Sequence, residues 1–97
     1  LKPYDLLPAA ASELEHAAAF YDARTAGLGA EFLDEVHRAI ALIRASPQSG
    51  TPQRRQTRRL LVRRFPYSIV YRDESDRILI VAIAHQSRRP GYWRHRV

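Results

Sequence analysis

The stretch "AHQSRRPGYW", residues 84–93, brings together an imidazole, two guanidinium groups, a phenol and the chain's only indole. An unperturbed histidine titrates at about pH 6.5, so His85 suits proton transfer near neutrality. Arg88 and Arg89 carry planar forks that match phosphate and carboxylate oxygens and stay charged in any environment. Tyr92 and Trp93 can stack on a nucleobase or anchor a chain end against a core edge. Such a segment binds an anion, acts chemically on one, or plugs the end of a core.

The rest of the basic charge is close by in sequence. Residues 1–47 hold seven acids against four bases, whereas residues 48–97 hold twelve arginines against three acids. Fifteen of the sixteen bases are arginine, and the net charge is +6. This asymmetry favours an anionic partner, either nucleic acid or an acidic protein segment. A genomic preference for arginine codons would produce the same bias. Arg54, Arg55, Arg58 and Arg59 sit in or beside a loop, so phosphate contact and a solvated charge run are both open to them, whereas Arg63 and Arg64 alternate in facing, so at least one should lie on the sheet face opposite the helices. His16 and His37 fall on different helices with no companion ligands, so no metal site is expected, and nothing in the pattern asks for a cofactor.

The elements that must position these groups follow from periodicity. "KPYDLL" (2–7) reads as a short strand with Pro3 at its start or edge. "PAAASELEHAAAFYDARTA" (8–26) reads as a helix, with Pro8 in its first turn and Ser12/Glu15 as an alternative capping box. Ala10, Leu14, Ala17, Ala18 and Tyr21 share one face. Gly27 suits the left-handed end of that helix. "LGAEFLDEVHRAIALIRAS" (28–46) is a second amphipathic helix with Phe32, Val36, Ile40 and Ile43 as its stripe. Asp34 and Arg38 are spaced to pair. "PQSGTPQRRQT" (47–57) reads as a loop. Three strands then follow: 58–64, "YSIVYR" (67–72) and "RILIVAIA" (77–84). The last is apolar on both faces, as a central strand requires. On the first, Leu60 and Val62 point to the core while Leu61 and Arg63 face outward.

The expected architecture is a single α+β domain over residues 1–97: an N-terminal strand, an antiparallel two-helix hairpin, then a three-stranded antiparallel meander with one basic face left open. The chain has no cysteine, which excludes a thiol nucleophile or a cysteine-held metal. No apolar run reaches the ~20 residues of a membrane span, and no signal peptide is visible.

Three stretches in order, "AFYDARTAGLGAEFLDEV" (19–36), "RRLLVRRFPYSIVYR" (58–72) and "ILIVAIAHQSRRPGYW" (78–93), resemble the RelE/ParE toxins of bacterial type II toxin–antitoxin modules. The resemblance spans nearly the whole chain. It implies a small cytoplasmic, growth-inhibiting protein, wrapped and neutralised by a cognate antitoxin in a hetero-oligomer. It also implies one of two targets. ParE-like members inhibit DNA gyrase by binding. RelE-like members cut messenger RNA on the ribosome, and for that chemistry Arg63 and Arg88 would stabilise the phosphorane while His85 or Tyr92 moves the proton. Arg58, Arg59, Arg63, Arg64, Arg89 and Trp93 would serve target or nucleic-acid binding in either case.

The nuclease branch carries lysines on its sheet, whereas the only lysine here is Lys2. "RFPY" and "RRPGYW" are closer to the ParE-like, plasmid-stabilisation branch. The reading is therefore a toxin of the ParE-like kind. A ribosome-dependent endoribonuclease and a non-toxic nucleic-acid-binding module are the alternatives.

Overall fold

In a computed structural model that describes residues 1–97, two helices lie on one face of a five-stranded mixed sheet. The strands are β1 (Tyr4–Leu6), β2 (Thr51–Pro52), β3 (Arg58–Leu61), β4 (Tyr67–Asp73) and β5 (Ile78–His85), in the order β1-β5-β4-β3-β2. The expected meander is β3-β4-β5, antiparallel throughout. Two additions widen it. β1 pairs parallel with β5, and β2, inside the segment expected to be a loop, pairs antiparallel with β3. Two residues with a proline carry no readable period, and an edge strand is where proline is tolerated.

The helices α1 (Pro8–Arg24) and α2 (Leu28–Ala45) are joined by three residues. α1 starts at Pro8 with no side-chain cap, so the Ser12/Glu15 box is not used. Gly27 is left-handed at φ 87° and stands at the entry of α2, where Asp22 Oδ1 accepts the Gly27 and Gly29 N–H groups. A Cβ at Gly29 would lie 2.5 Å from the Ala18 carbonyl oxygen, so the two helices touch backbone to backbone at this point. Arg38 pairs with Glu35 at 3.4 Å rather than with Asp34.

The main core lies between hairpin and sheet. Ala10, Ala17, Phe32, Val36, Ile40 and Ile43 meet Ile69, Tyr71, Ile78, Ile80 and Ile83. Tyr71 also fixes the segment after α2, accepting the Gly50 N–H at 3.0 Å and donating to the Pro47 carbonyl at 2.7 Å. A register shift at Val70/Tyr71 sets Val70 opposite Ala82 and Tyr71 opposite Ile80. One residue of β5, Val81, is thus extra, and the residues facing the helices become Ile80 and Ile83 instead of Ile80 and Ala82.

A second, smaller cluster sits on the sheet's other face: Val70, Leu79, Val81 and Ala82 covered by Trp93. Trp93 is 4% exposed, so the tail folds back over the half of the face nearest β5. This corrects the expectation of a wholly open basic face.

Candidate functional site

What remains open of that face is a cleft of about 320 Å³ between β3 and the tail. β3 ends at Leu61, three residues earlier than expected, and its facing decides which arginines reach the cleft. Arg59 and Leu61 pair with Val70 and Ser68 and share their face, so both line the cleft. Arg88, Arg89, Tyr92 and Trp93 line it from the tail, with His85 at its end.

The other sequence candidates lie elsewhere. Arg58 pairs with Tyr71 on the helix-facing side, where it donates to the Gly50 carbonyl at 2.9 Å and holds the preceding loop. Arg63 and Arg64 fall beyond the strand, in the turn to β4. Arg64 is left-handed at φ 70° and binds Glu31 at 2.9 Å, with Glu35 at 3.9 Å. Arg63 lines a separate groove against α2. The structure therefore brings Arg59, His85, Arg88, Arg89, Tyr92 and Trp93 together and leaves Arg58, Arg63 and Arg64 out. The reason is local: once the strand breaks at Leu61, alternation no longer says where residues 63 and 64 point.

His85 is not a free imidazole. It lies opposite Tyr67 in register and meets that ring edge-on, with centroids 5.0 Å apart. Its Nδ1 accepts the Ser87 backbone N–H at 3.0 Å and lies 2.8 Å from the Ser87 hydroxyl. An accepting Nδ1 assigns the neutral ring's proton to Nε2, which has no hydrogen-bond partner in the protein.

Tyr92 is held more firmly. Its hydroxyl donates to Glu13 Oε2 at 2.7 Å. The Glu13 carboxylate also accepts both terminal nitrogens of Arg96, at 2.9 and 3.0 Å, and the Ile83 backbone N–H at 3.0 Å. Burial, then the hydrogen bond and negative charge of Glu13, push the Tyr92 phenol far above its ordinary range. Burial alone would raise Glu13, but the donors Arg96, Tyr92 and Ile83 outweigh it and leave the carboxyl below its ordinary range. Glu13 was not among the sequence candidates. It lies on α1, 70 or more residues from its partners, and no spacing rule connects them.

The cleft's electrostatics follow from which arginines find a carboxylate. Arg38, Arg64, Arg72, Arg77 and Arg96 all do. Arg59, Arg88 and Arg89 do not, and no carboxylate lines the cleft. The Arg88 guanidinium stacks over the Tyr92 ring at 3.8 Å, so the tyrosine fixed by Glu13 also sets where Arg88 stands. The arrangement can bind an anion. It holds no group of three or more histidine, cysteine or carboxylate side chains placed for a metal ion.

A helical hairpin against one face of a mixed five-stranded sheet is the fold of a solved structure described as "Chromosomal ParDE TA system from P. aeruginosa". The TM-score is 0.76, with 18% identity, over 87% of this chain and 95% of that one. At that identity the likeness speaks for the fold. The family follows from the sequence itself: residues 4–90 match the profile of "ParE toxin of type II toxin-antitoxin system, parDE", and the chain belongs to that family. It is the toxin of such a pair, which implies a cognate antitoxin. No curated protein matches the chain. No helix is long and apolar enough to cross a membrane.

Proposed function

We propose that this toxin acts by binding DNA gyrase through the cleft of Arg59, Arg88 and Arg89, and does not cut messenger RNA. One observation carries the reading. The Tyr92 hydroxyl is committed to Glu13 and the His85 Nδ1 to the Ser87 N–H, while Arg59, Arg88 and Arg89 are left without carboxylate partners. A site with three unpaired arginines, whose phenol is already committed to a carboxylate, fits an inhibitor that binds better than a nuclease.

The test compares purified protein in a gyrase supercoiling assay and in a ribosomal translation assay. Inhibited supercoiling with intact message is the expected outcome, and Arg88→Ala with Arg89→Ala should relieve the inhibition. Messages cut on the ribosome, with cutting lost in His85→Ala, would establish the endoribonuclease instead.

The antitoxin has a different surface available. A groove of about 300 Å³ between α2 and β3 is floored by Ala39, Leu42, Leu60 and Leu61, with Leu42 and Leu61 50% and 59% exposed. Glu35 lines it, and its buried Oε1 has only the Arg38 Nε at 3.4 Å beside it, an ion pair that does not make a hydrogen bond. An amphipathic antitoxin segment would cover the leucines and offer Glu35 a donor. Leu42→Asp should weaken antitoxin binding at least tenfold without reducing toxicity. Unchanged affinity would move the antitoxin off this groove.

A further inference from the structure

The unpaired arginines extend beyond the cleft. A second basin, about 430 Å³, is lined by Arg88, Arg89, Tyr92, Arg94 and His95, and it shares its first three residues with the cleft. Neither basin has an acidic residue in its wall. At the cleft's far end stands Gln53, which opens the turn between β2 and β3. In that turn Arg55 and Gln56 are consecutive left-handed residues, at φ 60° and 59°. The conformation is costly for non-glycine residues, and Thr57 holds it by hydrogen-bonding the Arg54 carbonyl through both its N–H and its hydroxyl. Arg54 and Arg55 are exposed in this turn, directly after Gln53 in the cleft wall.

We infer that this row, from Arg54 and Arg55 through Arg59 to Arg88, Arg89 and Arg94, is a track for the phosphate backbone of duplex DNA. The inference deepens the gyrase reading and rests on the same face, because it gives the toxin a grip on the DNA as well as on the enzyme. Three features select duplex backbone over other anions. The row crosses two basins joined by Arg88 and Arg89, which suits successive phosphates and not one isolated anion. The only apolar residue of the second basin is Tyr92, whose ring lies under Arg88, so an amphipathic acidic peptide would have little to bury there, whereas phosphodiesters need charge alone. The aromatic rings are not free to stack on bases: Trp93 is 4% exposed and the Tyr92 ring lies under Arg88. A single strand would therefore gain little from them. Contacts of this kind position a protein on DNA and read no sequence.

The test uses fluorescence anisotropy of a labelled 20-base-pair duplex with the full chain and no gyrase, across a salt series. Binding should weaken steeply with salt, each neutralised phosphate contributing about 0.9 to the log–log slope. The Arg88→Ala, Arg89→Ala pair should lower that slope by about 2 and weaken binding at least tenfold, with no preference among duplex sequences. Arg54→Ala with Arg55→Ala should act in the same direction and leaves Tyr92 untouched. Arg24→Ala, at the end of α1 and remote from the row, should change nothing. No duplex binding at low salt would overturn the inference. So would tighter binding of a poly-glutamate peptide or a single strand of equal charge, or an equal loss in Arg24→Ala. Supercoiling inhibited without any DNA binding would sink the track and leave gyrase as the target. DNA binding without inhibition would do the reverse.

Discussion

Arg96 and Arg88 lie on one short tail, yet they do opposite things. Arg96 is 13% exposed, grips Glu13 with both terminal nitrogens and donates to the Val81 carbonyl at 3.0 Å. Arg88 stands in solvent on the Tyr92 ring with no carboxylate beside it. The first ties the tail down so that the second can be offered at a defined place. A count of arginines cannot separate the two roles. What separates them is whether the fold delivers an acid to the guanidinium.

The largest expected effect comes from removing what the tail covers. Trp93→Ala should cost about 3–5 kcal/mol, since Trp93 is the one large side chain buried in the second, smaller cluster. Chemical denaturation would measure this. A loss under about 1 kcal/mol would mean that the tail is not anchored as described.

Next comes the lock. Glu13→Ala leaves Arg96, Tyr92 and the Ile83 N–H without their acceptor, and should cost about 3 kcal/mol by the same assay. Tyr92→Phe removes a single hydroxyl and should cost about 1–2 kcal/mol.

The pH dependence has a defined sign. The folded-state Glu13 carboxyl titrates below the ordinary glutamate value of about 4.3, so its contribution is present above that pH and fades as pH falls through the folded value. The stability gap between the natural chain and Glu13→Gln should therefore be full at pH 7 and narrow as the solution is acidified below about 4. A gap that widens on acidification would contradict the assignment. Tyr92 runs the other way. Its folded pKa is raised, so its contribution is complete below pH 10 and is lost as pH climbs toward the folded value.

The smallest stability effects belong to the open side. Arg88→Ala, Arg89→Ala and Arg59→Ala should each change stability by about 0.5 kcal/mol or less, while target inhibition falls sharply. If they destabilise as Glu13→Ala does, the two regions do not differ in kind.

Much of this was legible from periodicity. Phe32, Val36, Ile40 and Ile43 recur at helical spacing and are buried; the apolar run 78–84 is a central strand covered on both faces. Leu61 faces out and Val62 in, as alternation requires. Illegible were the features set by partners distant in sequence. β1 pairs parallel to β5 across the length of the chain, and β2 exists only because β3 offers it an edge. At the site, Arg88, Arg89 and Arg59 could be read as cleft arginines from strand facing and tail composition. Arg58 and Arg64 could not be excluded, because their carbonyl and carboxylate partners come from other elements, nor could Arg63, because the strand ends before it. Tyr92 looked free for proton transfer because residue type shows capacity and conceals occupancy, here by Glu13.

β1 runs beside β5 only from Ile78 to Ile80, after which that side of β5 has no strand next to it. The backbone groups beyond are taken by side chains, Glu13 on the Ile83 N–H and Arg96 on the Val81 carbonyl. A bare strand margin recruits strands from other molecules. Glu13 and Arg96 thus cover that margin, and a chain cut short after Gly91 should drift into higher-order assemblies before it loses its helices.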